Sequence, residues 1–445
     1  MDRVCVIGAG SSGIAACQVL AARGIPYDCY ETGSEVGGNW RYLNDNGMSS
    51  AYRSLHINTS RQIMEYASFP MPEDCPVYPG HFHIARYFDS FVDHFGLRPS
   101  IAFRTEVARV EPLPDGTWSV TARHVDTGET AERVYGAVLV ANGHHWKARW
   151  PRPSLPGAEE FTGTQIHSHD YRTPAPFAGK RVLVLGIGNS ACDIAVETSR
   201  VSRGTVLAMR RGAHILPKYL FGVPTDHLTG SWLARAPLSV QAQGLRLMLR
   251  LSRGRLKDYG LPTPRHGVLA AHPTISDDLL SRLGHGDLTV KPAPVRLAGD
   301  RVTFEDGSTE VIDAIVYCTG YDIAFPFLGD DVIDPSDNDI ALYHRVVAPD
   351  RPGLYFIGLV QPLGAIMPLA EAQSHWVADL LEDRCALPGP ERMRQETGAY
   401  RERLARRYVA STRHTIQVDA QAYLRELRRE RRRGAARARR SAAGR

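Results

Sequence analysis

Residues 4–31, VCVIGAGSSGIAACQVLAARGIPYDCYE, decide the fold of this chain. Residues 4–7 form a short apolar run that is typical of a buried parallel strand, and helical apolar spacing follows the glycines. Gly8, Gly10 and Gly13 stand between the two as G-x-G-x-x-G. Such glycines permit a tight turn, the close approach of a pyrophosphate, and close packing of helix on strand. The stretch therefore predicts a dinucleotide site with its phosphates at a helix N-terminus.

A second apolar strand ends at Glu31, eighteen residues after Gly13. An acidic side chain at this position can accept both hydroxyls of a ribose, which indicates a dinucleotide without a 2′-phosphate. Strand, glycines, helix, strand and acid occur in the expected order, so the motif is much more specific than the glycine spacing alone. The loop residues Ala9, Ser11 and Ser12 belong to the same predicted site.

Residues 181–211 repeat this pattern. An apolar strand runs into the loop GIGNSACD (186–193), and the strand after the next helix ends in two arginines in place of Glu31. Arginine suits a 2′-phosphate because it forms bidentate, charge-assisted hydrogen bonds. The predicted contacts of this NADP(H) site are Gly186, Gly188, Asn189, Ser190, Ala191, Cys192, Asp193, Arg210 and Arg211.

Two such sites in one chain, one for FAD and one for NADPH, indicate a pyridine-nucleotide-dependent flavoenzyme whose flavin carries the redox chemistry. A disulfide reductase shares this plan, but it needs a redox-active cysteine pair beside the flavin. The seven cysteines include no C-x-x-C pair and no metal-ligand spacing. We therefore expect free cysteines in a reducing compartment and no metal site.

The net charge of +5 comes from one end of the chain. Residues 425–445 contain ten arginines and two glutamates, a net +8, so the remaining chain has about −3. We expect this tail to be a frayed, solvated helix, with a contact to nucleic acid or to an anionic membrane as the alternative. No apolar run approaches the ~18 residues of a membrane span. The chain enters a strand directly after its first residues, and we expect a cytoplasmic protein.

Other stretches give coarser predictions. Two adjacent glycines precede a large aromatic residue in GGNW (37–40), which indicates backbone close to a ligand or a turn beside a core tryptophan. Residues 83–96 predict an amphipathic helix, and residues 101–141 predict short strands of which the last returns to the first sheet. Residues 52–72 look like loop. Residues 212–275 are harder to interpret, with one apolar helix around 238–251 and a proposed role as a cover for the pocket.

Between the two repeats, Phe161, Gly163, His167 and Tyr171 fit F-x-G-x-x-x-H-x-x-x-Y. This resembles the fingerprint of the flavin-containing monooxygenases, a family of class B flavoprotein monooxygenases. The resemblance covers nearly the whole chain. Its further segments, in the expected order, are GAGSSG (8–13) with Glu31, GGNW (37–40), Asn58–Thr59, GIGNSACD (186–193), YCTGYD (317–322) and residues 356–376.

The resemblance implies roles for individual residues. Gly38, Asn39, Trp40, Thr59, Gln361 and Gln373 would contact FAD, and Tyr171 would belong to the NADPH side. Asn58 matches the asparagine that lies beside the flavin and the nicotinamide, and the resemblance makes it the candidate catalytic residue. From the sequence alone a turn-forming asparagine would be the better interpretation.

The resemblance also implies a reaction. NADPH reduces FAD, NADP+ stays bound, and O2 adds to the reduced flavin to give a C4a-hydroperoxide in a water-free pocket. A small molecule with a nucleophilic nitrogen or sulfur then takes the distal oxygen, as in N,N-dimethylaniline monooxygenases. A Baeyer–Villiger enzyme acting on a ketone is one alternative, which Tyr171 disfavours because those enzymes usually have tryptophan there. An uncoupled NADPH oxidase or redox sensor is another.

The implied fold is α/β, with two doubly wound Rossmann-like dinucleotide-binding domains and the NADPH domain inserted in the FAD domain. We expect no nucleic-acid partner and no transmembrane segment, and the oligomeric state stays open with a homodimer as one alternative. The predicted ranges are 1–170 and 290–424 for the FAD domain, 171–289 for the NADPH domain and 425–445 for the basic tail.

Overall fold

The structure is a computed structural model that describes residues 2–229, 238–268, 270–271, 273–407 and 415–443. The chain forms two compact units, and each is interrupted in sequence by the other. The first unit comprises Met1–Ser49, Thr59–Lys147 and Asp322–Arg445, and the second unit comprises Ser50–Asn58 and Ala148–Tyr321.

Both units contain strands and helices in alternation. The α-helices are α1 (Ser11–Ala22), α2 (Arg61–Met64), α3 (His81–His94), α4 (Asn189–Ser199), α5 (Thr225–Thr229), α6 (Leu238–Arg253), α7 (Leu279–His285), α8 (Met367–Leu381), α9 (Pro390–Arg407) and α10 (Ala420–Ala443). The strands are β1 (Val4–Ile7), β2 (Tyr27–Tyr30), β3 (Ile101–Ala102), β4 (Thr105–Pro112), β5 (Trp118–His124), β6 (Thr130–Tyr135), β7 (Ala137–Val140), β8 (Lys147–Ala148), β9 (Thr164–His167), β10 (Arg181–Leu185), β11 (Gly204–Ala208), β12 (Ile215–Leu216), β13 (Tyr219–Leu220), β14 (Val223–Pro224), β15 (Thr274–Ile275), β16 (Leu288–Lys291), β17 (Pro294–Ala298), β18 (Arg301–Phe304), β19 (Thr309–Val311), β20 (Ala314–Tyr317), β21 (Tyr321–Asp322), β22 (Leu354–Phe356), β23 (Gln361–Leu363) and β24 (Gln417–Asp419).

The first unit is built on a parallel sheet in the order β22-β7-β1-β2-β3. All residues of β1 and β7 are buried, as expected for strands that are covered on both faces. Helix α1 is buried from Ser12 to Leu20 and packs against α8. The predicted strand at the end of residues 101–141 is confirmed as β7, which pairs in parallel with β1.

The second unit repeats this arrangement in a parallel sheet of order β16-β11-β10-β20-β9. Strand β10 lies between β11 and β20, and its central residues Val182, Leu183 and Val184 are fully buried. Two doubly wound parallel sheets confirm the predicted α/β fold class with two Rossmann-like domains.

The compact units divide the chain at residues other than the predicted ones. Residues 290–321 belong to the second unit because β20 completes its sheet beside β10. Residues 148–170 belong there too, since β9 pairs with β20. The segment Ser50–Asn58 also joins the second unit, which no pattern in the sequence indicated.

The prediction of a solvated tail at 425–445 is wrong for the part that the structure describes. Helix α10 includes these residues up to Ala443 and packs against α8. Leu427 and Gly434 are buried, and a Cβ atom on Gly434 would lie 2.0 Å from Cys385 Sγ. Arg431 forms a 2.6 Å ion pair with Asp379 on α8. Every third or fourth residue therefore faces the unit, while arginines cover the outer face.

Two helices that the apolar spacing predicts are confirmed. The amphipathic helix predicted over 83–96 is α3, and the helix predicted around 238–251 is α6. All seven cysteines are free. Within the described ranges no helix is both long enough and apolar enough to cross a bilayer.

Candidate functional site

The loop between β1 and α1 has the geometry that a pyrophosphate needs. Gly8 has φ +97°, and a Cβ atom there would lie 2.9 Å from the carbonyl oxygen of Ala141. A Cβ atom on Gly13 would lie 1.7 Å from the Gly8 carbonyl oxygen, so helix and strand pack at backbone contact. Gly10 faces Gly38, whose own Cβ atom would lie 3.1 Å from Gly10 Cα. These residues form a cradle that side chains would fill, and FAD fits it.

The second wall of this cradle is a turn of 3-10 helix at Gly38–Trp40. Asn44 Nδ2 donates to the Gly38 carbonyl at 3.0 Å, and the Ser49 hydroxyl donates to the Asn39 carbonyl at 2.8 Å. Gly38, Asn39 and Trp40 are half-buried. The structure thus brings GGNW against the first glycine loop, as expected of a segment whose backbone lies near a ligand.

Glu31 follows β2 directly and is only 4% exposed. Its Oε2 accepts the Ala9 N–H at 2.7 Å, and its Oε1 accepts the Gly33 N–H at 2.8 Å. Asn46 Nδ2 donates to the same Oε1 at 3.2 Å, a contact that no sequence pattern indicated. A carboxylate has about four acceptor positions, so Glu31 is held by the loop and keeps capacity for a ribose hydroxyl.

The start of α1 is supported by residues from elsewhere in the first unit. The Tyr66 hydroxyl donates to the Ser11 carbonyl at 2.5 Å. Ser12 packs against Gly358, where a Cβ atom would lie 1.9 Å from Ser12 Oγ. Gly358 lies just beyond β22 with φ +78°, and it lies inside the segment 356–376 whose glycines the sequence did not single out.

The structure gives the two predicted glutamine contacts different surroundings. Gln373 is fully buried: the Gly358 N–H donates to its Oε1 and its Nε2 donates to the Tyr423 hydroxyl, both at 2.8 Å. Gln373 therefore links the backbone of Gly358 to the Tyr423 hydroxyl, and its direct contact with FAD stays a prediction. Gln361 is half-buried at the start of β23.

The loop between β10 and α4 copies the geometry of the first loop. Gly186 has φ +139°, and a Cβ atom there would lie 2.7 Å from the Cys318 carbonyl oxygen, beyond β20. Gly188 precedes the first residue of α4, and Ala191 is fully buried. Asn189 Oδ1 accepts the Ile275 N–H at 2.8 Å. Gly186 to Ser190 are half-buried, so NADP(H) fits on the free face of this loop.

Arg210 and Arg211 follow β11 after one intervening residue, and both are exposed. No residue in the described ranges forms an ion pair with either of them. Two exposed arginines at the end of the second strand are well suited to a 2′-phosphate.

Three other predicted NADPH contacts point into the protein. Cys192 is fully buried, and Tyr171 is buried with its hydroxyl donating to Glu197 Oε2 at 2.6 Å. Asp193 is half-buried and accepts a hydrogen bond from the Tyr52 hydroxyl. These side chains support the loop from within. The bond to Glu197 also gives Tyr171 a structural reason to be tyrosine.

Asn58 ends the segment of the second unit that begins at Ser50, and Thr59 begins the next part of the first unit. Asn58 is half-buried, whereas Thr59 is buried. Among the residues that the structure describes, the Asn58 amide has no hydrogen-bond partner. Its donor and its acceptor are therefore both available to a ligand.

Fold and loops together define a protein with two dinucleotide-binding folds, one ending its second strand in a buried acid and the other in exposed arginines. Residues 1–432 match the flavin-binding monooxygenase-like family. Flavin-containing monooxygenase 5 of Cavia porcellus is 38% identical over 94% of this chain and 80% of that protein. Dimethylaniline monooxygenase [N-oxide-forming] 2 of Mus musculus is 35% identical over 96% of this chain and 82% of that protein.

Solved structures agree. An S-allyl-L-cysteine S-oxygenase from Allium sativum superposes with a TM-score of 0.73 at 25% identity, covering 100% of this chain and 93% of that one. A cyclohexanone monooxygenase gives 0.72 at 18% identity, covering 98% of both chains, and shows the shared fold. The chain belongs to the flavin-containing monooxygenase family. This confirms the predicted class of enzyme, an FAD-dependent NADPH monooxygenase, and its cofactors FAD and NADPH.

Proposed function

We propose that this chain uses NADPH and O2 to oxygenate the nitrogen or sulfur of a small nucleophilic molecule. The contrast between buried Glu31 and exposed Arg210 and Arg211 carries the proposal, because it assigns one dinucleotide fold to FAD and the other to NADPH. The family supplies the reaction class. Two relatives named for N-oxide formation and S-oxygenation support a heteroatom as the acceptor of oxygen.

The first loop binds the pyrophosphate of FAD through the backbone of Gly10 and the N-terminus of α1, with Gly38 closing the cradle. Glu31 binds the ribose. When bound, FAD supplies electron transfer from NADPH and the activation of O2, and the C4a-hydroperoxide that the resemblance implies is part of this proposal. The protein's own contribution is to bind, to orient and to exclude water.

On the NADPH side, the backbone of Gly186 to Ser190 receives the pyrophosphate at the N-terminus of α4. Arg210 and Arg211 bind the 2′-phosphate. Asn58 is the proposed catalytic residue, since its amide can donate and accept at once and is occupied by no protein partner within the described ranges.

The test is the ratio of oxygenated product to NADPH consumed, measured for an amine, a thioether and a ketone with released hydrogen peroxide counted alongside. We expect N-oxide or S-oxide close to one molecule per NADPH. Conversion of only the ketone to an ester would overturn the proposal in favour of Baeyer–Villiger oxygenation. Peroxide release without product from any of the three would indicate an NADPH oxidase or a redox sensor instead.

Asn58→Ala and Asn58→Asp test the catalytic residue. Both variants should keep their FAD and its reduction by NADPH, but both should lose most of their product and release peroxide instead. The Ala variant lacks donor and acceptor, and the Asp variant offers only a charged acceptor. A variant that stays fully coupled would show that Asn58 only shapes the turn.

Three further expectations stay predictions. These are a cytoplasmic location, the lack of a nucleic-acid partner, and the homodimer as one possible assembly. Salt-sensitive binding of the full chain to nucleic acid would contradict the second.

A further inference from the structure

Helix α4 holds a second element besides the nucleotide loop. The segment Ser50–Asn58, here called the carrier segment, belongs to the second unit although the chain on both sides of it belongs to the first. It ends in Asn58, the proposed catalytic residue. What fixes this segment to the second unit therefore fixes Asn58.

The first attachment is Tyr52. Its side chain is 5% exposed and lies in the core of the second unit, and its hydroxyl donates to Asp193 Oδ2 on α4. Its ring meets the ring of Tyr171 edge-on, with 6.0 Å between centroids. Tyr52 is thus bound through its ring and its hydroxyl at once.

The second attachment is Glu197, one helical turn further along α4. Its Oε1 accepts from the Ser54 hydroxyl, and its Oε2 accepts from the Tyr171 hydroxyl at 2.6 Å. The backbone adds a third attachment, because the Arg53 N–H donates to the Arg172 carbonyl at 2.9 Å. Three successive residues of the carrier segment are therefore fixed, two to α4 and one to the backbone of Arg172.

The acids need these donors. Burial raises the pKa of Asp193 to about 6, and the Tyr52 hydroxyl and the nearby Lys218 oppose that rise. Burial also raises the pKa of Glu197, against the hydroxyl of Tyr171 and the charge of Arg200. A desolvated carboxylate is costly unless it accepts hydrogen bonds. The carrier segment supplies hydrogen bonds to these carboxylates through the hydroxyls of Tyr52 and Ser54. These bonds specify where the segment lies on α4.

We infer that Tyr52, Asp193 and Glu197 are positioning residues that set the place of Asn58 through the carrier segment. This rests on the proposed function for the role of Asn58. The loop from Gly186 to Ala191 leads into α4, so one helix holds both the nucleotide loop and the carrier segment. Asp193 then acts on the reaction through Tyr52 and not as a cofactor contact.

The test is Tyr52→Phe, which keeps the ring and removes the hydroxyl. In the full chain without added cofactor, hydrogen–deuterium exchange of the peptide covering residues 50–58 should accelerate on the order of 10-fold. Tyr135→Phe is the matched control, because the buried Tyr135 hydroxyl also donates to a carboxylate, Asp28 Oδ2 at 2.9 Å in the first unit. It should leave exchange in the carrier segment unchanged.

In the holoenzyme, Tyr52→Phe should lower product per NADPH several-fold and raise peroxide, with FAD content and the KM for NADPH within about twofold. Asp193→Asn should lie between it and the wild type, since an amide oxygen still accepts from Tyr52. Ser54→Ala, at an exposed position, repeats the test with a smaller change if Tyr52→Phe does not fold.

Wild-type exchange and wild-type coupling in Tyr52→Phe would overturn the inference. Equal losses of FAD content, NADPH affinity and coupling would overturn it too, because they would show general damage. A wild-type chain that forms no oxygenated product would overturn the proposed function instead, and the exchange measurement would still decide whether these residues hold the carrier segment.

Discussion

The two nucleotide-binding helices begin alike and diverge within two turns. Gly8 and Gly186 both have positive φ. A Cβ atom on Gly8 would lie 2.9 Å from the Ala141 carbonyl oxygen, and one on Gly186 would lie 2.7 Å from the Cys318 carbonyl oxygen. Counting on from these glycines, α1 places Ala15 and Val19 where α4 places the acids Asp193 and Glu197. Ala15 and Val19 are buried apolar residues, so α1 is sealed inside its unit.

The ends of the second strands differ in the same direction. Glu31 is buried and bonded to its own loop, whereas Arg210 and Arg211 are exposed. The first site is thus pre-organised within a closed core, and the second is open to a ligand that must come and go. This comparison predicts that FAD stays with the protein through turnover and that NADP(H) exchanges.

Removing residues 424–445 tests whether the closed first unit depends on α10, and it should have the largest effect. Glu426 pairs with buried Arg345 at 3.1 Å and with His344 at 2.9 Å. Burial alone would raise the pKa of Glu426, but His344 and Arg345 hold it at about 2. An unpaired buried charge costs about 3–5 kcal/mol, and loss of Leu427 adds about 2 kcal/mol.

A chain ending at Tyr423 should therefore lose about 5 kcal/mol of unfolding free energy and most of its FAD. Urea unfolding and the flavin content of the purified protein measure both quantities. A chain ending at Arg440 is the control, because it lacks only exposed or terminal residues and should unfold like the full chain. Full FAD content in the chain ending at Tyr423 would restore the view of a dispensable tail.

Gly13→Ala and Ala191→Gly compare the same motif position in the two helices. The added Cβ atom would lie 1.7 Å from the Gly8 carbonyl oxygen. Gly13→Ala should therefore lower the free energy of unfolding by about 3 kcal/mol and abolish FAD binding. Ala191→Gly only places a glycine inside a helix, which should lower the free energy of unfolding by about 1 kcal/mol. Similar losses of unfolding free energy in the two variants would mean that the helices pack equally closely.

The glycine loops and both strand ends could be predicted because the motif fixes them by local geometry. The carrier segment could not, because its attachment is a tertiary match between Tyr52 and an acid about 140 residues away. The tail was misjudged for a similar reason. Its arginines dominate the composition, and only the spacing of Tyr423, Leu427, Glu430 and Gly434 reveals a buried face.

Gln373 shows a different limit. The resemblance predicted a contact with FAD, but it gave no sign that the side chain accepts the Gly358 N–H within the protein. Sequence motifs mark the region that matters, and hydrogen-bond partners decide what each side chain does there.

Replacing Arg210 and Arg211 with alanine tests the open second site. A charged hydrogen bond contributes about 1.5–3 kcal/mol, and exposure favours the low end, so the KM for NADPH should rise on the order of 100-fold. The KM for NADH should barely change. Glu31→Gln is the counterpart in the first unit. It should weaken FAD binding and leave the preference for NADPH over NADH unchanged. Equal losses for both nicotinamide cofactors would contradict the assignment.

Asp193→Asn tests the smallest difference, the half-buried carboxyl group that α4 has and α1 lacks. The folded pKa of about 6 lies above the ordinary value of about 3.9, so the folded protein binds a proton more readily between these values. Stability from this group is therefore present at low pH and is lost as the pH rises through about 6. Asparagine does not titrate. Between about pH 4.5 and pH 7.5 the wild type should lose about 2 kcal/mol relative to the variant, as measured by urea unfolding.

Ala15→Ser, at the matching position of α1, adds no titratable group and should follow the wild type at a constant offset. Parallel stability profiles for the wild type and Asp193→Asn would show that Asp193 is charged without penalty, and the two helices would then differ in shape but not in electrostatics.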